Sequence, residues 1–185
     1  MINSSLLSKV GTSDAVDIFK DINQIIFDFD ISKFGKSKPT FDKNELKGLN
    51  SKFFKLLDYA DIKDQLNIFD FEITSEFWEL MKGNIDDLSN LELWWNIIYG
   101  TIEPIHNDES FINTALESLP EGGFDKNTWA SWINILTKET GRKGKELFNP
   151  IRMCLTGQRN GPEMATLVWL MGRDKVIERL TIKSL

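Results

Sequence analysis

The spacing of apolar residues constrains this chain more than any other feature of its sequence. Apolar side chains recur three and four residues apart along most of the 185 residues, which is the repeat of one helix face. The clearest faces are formed by Ile18, Phe19, Ile22, Ile25, Ile26 and Phe29, by Leu46, Leu49, Phe53 and Leu56, and by Phe111, Ile112, Ala115, Leu116 and Leu119. Strand-like alternation is scarce, and residues 68–73 are its best example. The sequence therefore predicts an all-α fold of helical bundles.

Capping residues and glycines predict where these helices begin and end. The predicted starts are Asp42, Thr74 or Ser75, Asp125, Asn149 with Pro150, and Gly161 with Pro162; the predicted ends or breaks are Gly83 with Asn84, Gly141, Gly157 and Gly172. The expected seams between bundles lie near residues 59–64 and at the turn-rich residues 120–123. We therefore expect a helical connecting segment over residues 1–60, followed by helical subdomains over 61–120 and 121–185.

The composition excludes several classes of protein. The single cysteine, Cys154, cannot form an internal disulfide, and with the single histidine, His106, it cannot complete a four-ligand zinc site. No apolar run reaches the roughly 20 residues that span a bilayer, and the first residues do not resemble a secretory signal. We expect a cytoplasmic protein with no membrane association. No acid–base pair or nucleophile is placed for catalysis, so we assign no catalytic and no metal-binding residue.

The charge is unevenly distributed along the chain. The net charge is −6, but residues 138–185 carry 10 basic and 5 acidic side chains, whereas residues 1–137 carry 12 and 23. All five arginines lie in the basic segment: Arg142, Arg152, Arg159, Arg173 and Arg179. A solvated basic face is one interpretation, and local attraction of nucleic-acid phosphates is the other. The stretch 141–145 favours a helix C-cap with trailing basic residues over a phosphate loop, because the glycine spacing of such a loop is missing.

Residues 147–164 form the most informative stretch of the sequence. The pattern predicts a short helix, a tight loop bounded by glycines, and the start of another helix. Free backbone N–H groups would converge at residues 161–164, where Gly161 would allow a ligand to approach the backbone. Arg152 would supply a guanidinium beside this loop. Such a pocket suits the splayed bases of single-stranded RNA, and a helix–turn–helix corner without a ligand is the alternative.

Residues 140–164 read TGRKGKELFNPIRMCLTGQRNGPEM, and this stretch resembles the signature TGxKGKxLFxPxRxxLTGxxxGPEL of bacterial glutamyl-tRNA synthetases. The signature lies in the carboxy-terminal, anticodon-binding region of that family. Further upstream, residues 77–84, the pair Trp94 and Trp95, and residues 100–102 resemble the alphaproteobacterial branch. The resemblance extends over nearly the whole chain. It implies the helical anticodon-binding domains of a class I aminoacyl-tRNA synthetase.

The resemblance also implies roles for particular residues. Arg152 matches an arginine that contacts the first two anticodon bases, and Gly161, Pro162 and Met164 match the segment that shapes this pocket, largely through its backbone. Asn84 stands where members that reject tRNA(Gln) can place an arginine that reads the third anticodon base. Asn84 ending a helix after Gly83 is the alternative, with Lys82 or another side chain rejecting tRNA(Gln). The candidates for phosphate contacts are Arg142, Lys143, Lys145 and Arg159.

The HIGH-type and KMSKS-type nucleotide signatures of class I synthetases are absent from this sequence. We therefore expect no cofactor on this chain and no activity of the chain alone, whereas the full-length enzyme would use ATP and Mg²⁺. The implied partner is tRNA(Glu), joined by tRNA(Gln) if the enzyme does not discriminate, and the implied state is a monomer. Two other functions stay open: a stand-alone tRNA-binding module acting in trans, and a helical protein-interaction domain.

Overall fold

A computed structural model describes residues 9, 11–12, 17–19, 21–35 and 43–182, with side chains from residue 46 onward in the last range. All regular secondary structure in these ranges is helical, which confirms the predicted all-α fold. The predicted cap at Asp42 lies outside the described residues. The strand-like pattern of residues 68–73 forms turns and irregular backbone instead. The chain divides into two compact units, residues 1–90 and 91–185.

The first unit contains four α-helices within its described residues. They are α1 (Ile22–Asp28), α2 (Lys43–Leu56), α3 (Tyr59–Leu66) and α4 (Ser75–Met81), with a short 3₁₀ helix over Ile31–Lys33. Its core is anchored by Trp78, which is fully buried, packs edge-on against Phe54, and donates from Nε1 to the Leu57 carbonyl at 3.2 Å. Thr74 accepts the Phe77 N–H at 3.2 Å on its side-chain oxygen, so the predicted start of α4 is confirmed.

The apolar face predicted over residues 18–29 is wrong in its extent. Residues 17–19 are not helical, and α1 ends at Asp28 because Phe29 has an extended backbone (ψ 121°). Only Ile25 is buried in this helix, whereas Phe27 is 90% exposed. Periodicity reports the spacing of apolar residues, but a helix of seven residues buries only the one or two positions that meet another element.

The second unit contains the other five helices of the described chain. They are α5 (Asn90–Ile98, which begins at the boundary between the units), α6 (Glu109–Glu117), α7 (Thr128–Thr140), α8 (Lys145–Thr156) and α9 (Met164–Leu180). Helix α9 packs against α6, α7 and α8. Trp132 lies in this core with no exposed surface and donates from Nε1 to the Ala115 carbonyl at 3.0 Å, which ties α7 to α6.

Glycines end the helices of the second unit where the sequence indicated. Gly141 and Gly157 take left-handed conformations (φ 69° and 66°) directly after α7 and α8. Gly172 (φ 71°, ψ 167°) breaks α9 into two helical segments. These positive φ values suit glycine because it has no Cβ. The C-cap interpretation of residues 141–145 is thereby confirmed.

Two predicted helix starts in this unit are wrong. Pro150 was expected at the first position of a helix, but it lies inside α8, which begins five residues earlier at Lys145. The missing N–H costs one backbone hydrogen bond, and the burial of Leu147 and Ile151 on one face of α8 offsets this loss. Helix α9 begins at Met164 rather than at Pro162, with Glu163 as its N-cap residue.

The domain boundaries expected from the sequence differ from the division into two units. The expected seam near residues 59–64 falls within α3, and the division between the two compact units lies at 90/91. The three-part division into 1–60, 61–120 and 121–185 stays a prediction.

Candidate nucleic-acid interface

Arg152 lies on α8 and is held by the loop that follows this helix. Its Nη2 donates to the Pro162 carbonyl at 2.8 Å, so one side of the guanidinium is fixed. Its Nη1 is covered from solvent and has no acceptor within the described chain. Burial lowers the pKa of Arg152 from its usual value, although an arginine stays protonated at neutral pH. The site therefore holds a cationic donor that is covered and unsatisfied, which is costly unless an acceptor is supplied.

The loop between α8 and α9 is shaped by Thr156 and Gly157. The Thr156 hydroxyl donates to the Arg152 carbonyl at 2.7 Å and accepts the Gln158 N–H at 3.0 Å. Gly157 then reverses the chain in a left-handed conformation. Thr156 is almost wholly buried, so these bonds are shielded from water. The loop is thus attached to the helix that carries Arg152 at the residue where the helix ends.

Gly161 makes the closest approach in this loop, and its neighbour is a tryptophan. A Cβ built at Gly161, whose φ is 150°, would lie 2.2 Å from Cη2 and 2.6 Å from Cζ2 of Trp94. Trp94 is on α5 and is buried. The indole of Trp94 fills the space on the Cβ side of Gly161, whereas the residue is exposed to solvent. The approach of a ligand to its backbone stays a prediction. Packing of Trp94 requires the glycine.

Pro162 and Met164 are both buried, so their side chains belong to the packed interior. A ligand at this segment would meet backbone groups, as the resemblance implied. The first N–H groups of α9 have no intrahelical partner, and the Glu163 side chain does not cap them. Glu163 accepts instead from the Thr166 hydroxyl at 3.2 Å. Backbone donors therefore lie beside the carbonyl that holds Arg152.

The candidate phosphate contacts fall into two groups. Arg142 is engaged internally: its Nη1 bonds to Asp108 at 2.6 Å and its guanidinium lies 4.4 Å from the Phe111 ring centroid. The hydrogen bond from Arg142 holds the pKa of Asp108 below its usual value. Lys143, Lys145 and Arg159 are exposed. These three make no ion pair within the described ranges.

The arginines of the basic segment, residues 138–185, are therefore less exposed and more often paired than the sequence indicates. Arg179 is fully buried and Arg173 donates from Nε to the Pro120 carbonyl at 3.2 Å. Arg142 is ion-paired and Arg152 is partly buried, which leaves Arg159 as the one exposed arginine of the five. The interpretation of this segment as a solvated basic face is wrong for most of its arginines. The partners of Arg142, Arg173 and Arg179 come from distant parts of the chain, which no local pattern reveals.

Asn84 lies in the first unit, whereas the other candidates lie in the second. Its side-chain Nδ2 donates to the Leu80 carbonyl at 3.1 Å and its backbone N–H donates to the Met81 carbonyl at 2.7 Å. These bonds cap the end of α4, as the local alternative requires. The residue is nevertheless exposed. Lys82 is engaged nearby with Glu79 at 2.7 Å.

Two residues of this region could not be placed at the site from the sequence. The sequence placed Trp94 only within a family-like pattern, whereas its contact with Gly161 joins two distant segments. Arg179 was counted among the basic side chains. Neither role leaves a signal in local spacing, because each depends on which helices become neighbours.

No group of three or more metal-binding side chains that could hold an ion occurs among the described residues. In the same part of the chain, no helix has both the length and the apolar character needed to cross a membrane.

Comparisons of the chain with known proteins indicate which class of protein it resembles. Residues 106–183 match the family model described as anticodon binding domain. Curated relatives include glutamate–tRNA ligase 1 of Maricaulis maris, 39% identical over 95% of this chain and 40% of that protein. The same enzyme of Zymomonas mobilis is 37% identical over 95% of this chain and 40% of that protein. The chain thus spans about 40% of the length of the curated relatives that it matches.

Solved structures share the fold. A glutamate tRNA ligase from Elizabethkingia meningosepticum superposes with a TM-score of 0.73 at 18% identity, covering 96% of this chain and 40% of that one. The chain contains a helical anticodon-binding domain. It belongs with the carboxy-terminal, anticodon-binding region of bacterial glutamate–tRNA ligases, and the resemblance drawn from residues 140–164 is confirmed.

Proposed function

We propose that this chain binds the anticodon arm of tRNA(Glu) as part of a glutamate–tRNA ligase. The environment of Arg152 carries the proposal. A protonated guanidinium is fixed on one side by the Pro162 carbonyl and keeps Nη1 without an acceptor on the other. Base edges offer the carbonyl oxygens and ring nitrogens that such a donor requires. We assign Arg152 to the first two anticodon bases, with the backbone of residues 161–164 beside it.

Exposed cations support the same assignment. Lys143 lies in the connection between α7 and α8, Lys145 begins α8, and Arg159 lies in the loop after α8. Exposed basic side chains attract phosphates, and phosphate contacts position a nucleic acid without reading its sequence. Arg142 contributes less to phosphate binding, since Asp108 already pairs with it. We therefore assign affinity mainly to Lys143, Lys145 and Arg159, and base selection to Arg152.

The activity of the whole protein is part of this proposal. A ligase of the kind named for the relatives would attach glutamate to tRNA with ATP and Mg²⁺, in the cytoplasm and as a monomer. The residues of this chain do not fit an ATP site, because the sequence lacks both nucleotide signatures of the class. No catalytic step is assigned to them. Their part is to bind and orient the tRNA.

Titration of the chain with labelled anticodon stem-loops tests the proposal. We expect the tRNA(Glu) stem-loop to bind at least about tenfold more tightly than one altered at the first two anticodon bases, since each lost base contact costs about 1–3 kcal/mol. Equal affinity for both would reduce the chain to a general phosphate binder. No binding even at low salt would favour the protein-interaction domain. Discrimination between the two stem-loops by the isolated chain is also compatible with a stand-alone module that acts in trans. Charging assays with a separate catalytic domain would reveal such an action.

A further inference from the structure

Arg179 is a buried cation that pairs with no carboxylate in the described ranges. It lies in the segment of α9 after Gly172 and has no exposed surface, and it is the only buried charged residue in the described part of the chain. Burying a charge is costly unless hydrogen bonds replace its water. Its Nη1 donates to the Leu155 carbonyl at 2.9 Å, and its Nη2 donates to the carbonyls of Ile97 and Gly100 at 3.1 and 3.0 Å.

These carbonyls lie at the carboxy-terminal ends of two helices. Leu155 is the penultimate residue of α8, Ile97 is the penultimate residue of α5, and Gly100 follows α5 closely. Carbonyls at such ends lack intrahelical donors and carry the negative end of the helix dipole. A planar guanidinium has donors on separate nitrogens and can satisfy both ends together. Arg179 therefore joins the end of α5 to the end of α8.

Helices α5 and α8 also carry residues of the candidate anticodon site. Arg152 lies three residues before Leu155 on α8, and Trp94 lies three residues before Ile97 on α5. Each is within one helical turn of a carbonyl that Arg179 holds. The separation of the two helix ends thus sets the separation of Arg152 and Trp94.

The loop before α9 is held from both of these helices. Trp94 packs against Gly161, and Arg152 bonds to the carbonyl of Pro162. The segment that carries Arg179 is itself anchored, since the Arg179 carbonyl lies 2.9 Å from His106 Nε2 and 3.0 Å from Cys154 Sγ. A change in the spacing of α5 and α8 would therefore move both contacts of the loop.

We propose that Arg179 is a positioning residue for anticodon recognition, which fixes Arg152 relative to the 161–162 loop by joining the ends of α5 and α8. The inference rests on the proposed function. It assigns Arg179 no contact with RNA. Its contribution is to selectivity between bases, whereas phosphate attraction by exposed cations is independent of it.

Two substitutions of Arg179 and one control test this role. Arg179→Met removes the donors, and Arg179→Lys keeps the charge but replaces the planar fork with one ammonium, which cannot bridge both helix ends in the same geometry. Trp132→Phe is the control: it removes the bond to the Ala115 carbonyl in the same core and none of the bonds that Arg179 makes to the two helix ends. Each variant is titrated with the tRNA(Glu) stem-loop and with the altered stem-loop, at a temperature where circular dichroism shows it folded.

The measured quantity is the ratio of the two dissociation constants. We expect both Arg179 variants to lower this ratio by about fivefold or more, the lower end of what a lost base contact costs, with little change in binding of the altered stem-loop. Trp132→Phe should keep the wild-type ratio. A folded Arg179 variant that keeps the wild-type ratio would overturn the proposal. If Arg179→Met does not fold, the Arg179→Lys variant alone decides. A wild-type ratio near one would instead refute the proposed function.

Discussion

Trp94 and Gly161 are in such close contact that no Cβ fits between them. The Cβ of any other residue at position 161 would lie 2.2 Å from Cη2 of the indole. The contact joins α5 to the loop that carries the Pro162 carbonyl, and this carbonyl orients Arg152. The first prediction concerns this pair.

Gly161→Ala should destabilise the chain by about 1–3 kcal/mol, because the added methyl group overpacks against a buried ring. Gly157→Ala is the matched control, since Gly157 also has a positive φ but a Cβ there would meet nothing within 4 Å. Urea titrations give both free energies. Trp94→Leu should relieve part of the Gly161→Ala cost in the double variant. Strict additivity of the two changes in the free energy of unfolding would show that the Trp94 ring does not obstruct the added methyl group.

The second prediction concerns the buried thiol of Cys154. Burial raises its pKa from 9.0 to about 12, only partly opposed by the charge of Arg179. The thiol therefore ionises at a lower pH in the unfolded chain than in the folded chain. Its contribution to the free energy of unfolding is fully present below pH 9 and is lost as the pH rises toward 12. The loss is about 1.4 kcal/mol per pH unit in this window.

Comparison with Cys154→Ala isolates this effect from the titration of lysines and tyrosines. The stability difference between the two proteins, measured by urea unfolding, should stay constant from pH 7 to 8.5. It should then shift against the wild type by about 1 kcal/mol on going from pH 9 to pH 10. A difference that is unchanged at pH 10 would mean that the thiol is accessible to water in the folded chain.

The sequence predicted best what local chemistry decides. The ends at Gly141 and Gly157 follow from a backbone conformation that glycine adopts without strain, and this conformation needs no tertiary partner. Pro150 was misplaced because burial along α8 outweighs the loss of one hydrogen bond. Arg179 was misread because a charged residue on a terminal helix resembles a surface residue until the neighbouring helix ends are known. The part of the site that could be predicted was the signature around Arg152; its supports, Trp94 and Arg179, could not.

The third prediction concerns Asn84 and the third anticodon base, which is C in tRNA(Glu) and G in tRNA(Gln). Asparagine both donates and accepts, so it should penalise G less than an arginine would. We expect the wild-type chain to bind stem-loops with C or G at this position with similar affinity. Asn84→Arg should favour C by about fivefold or more.

Asn84→Ala separates this role from helix capping. It removes the bond to the Leu80 carbonyl and should lower stability by about 1 kcal/mol. Its preference between C and G should stay as in the wild type. A strong wild-type preference for C that Asn84→Arg leaves unchanged would assign the reading of this base to another residue.

The fourth prediction is that this chain by itself does not activate glutamate. It lacks the HIGH-type and KMSKS-type signatures, and no acid–base pair or nucleophile is placed for the reaction. Incubation with ATP, glutamate, tRNA and labelled pyrophosphate should give no exchange above the blank. A full-length glutamate–tRNA ligase serves as the positive control. Exchange that persists after repurification of the chain would contradict the assignment.

The central claim is that Arg152 reads the first two anticodon bases, and a thermodynamic cycle between Arg152→Ala and the altered stem-loop tests it most directly. Arg152→Ala should weaken binding of the tRNA(Glu) stem-loop by about 1–3 kcal/mol and leave the altered stem-loop nearly unaffected. Arg159→Ala is the control, because a phosphate contact should weaken both complexes equally and reduce the salt slope by about 1. Equal losses with both stem-loops for Arg152→Ala, as for Arg159→Ala, would contradict base reading by Arg152.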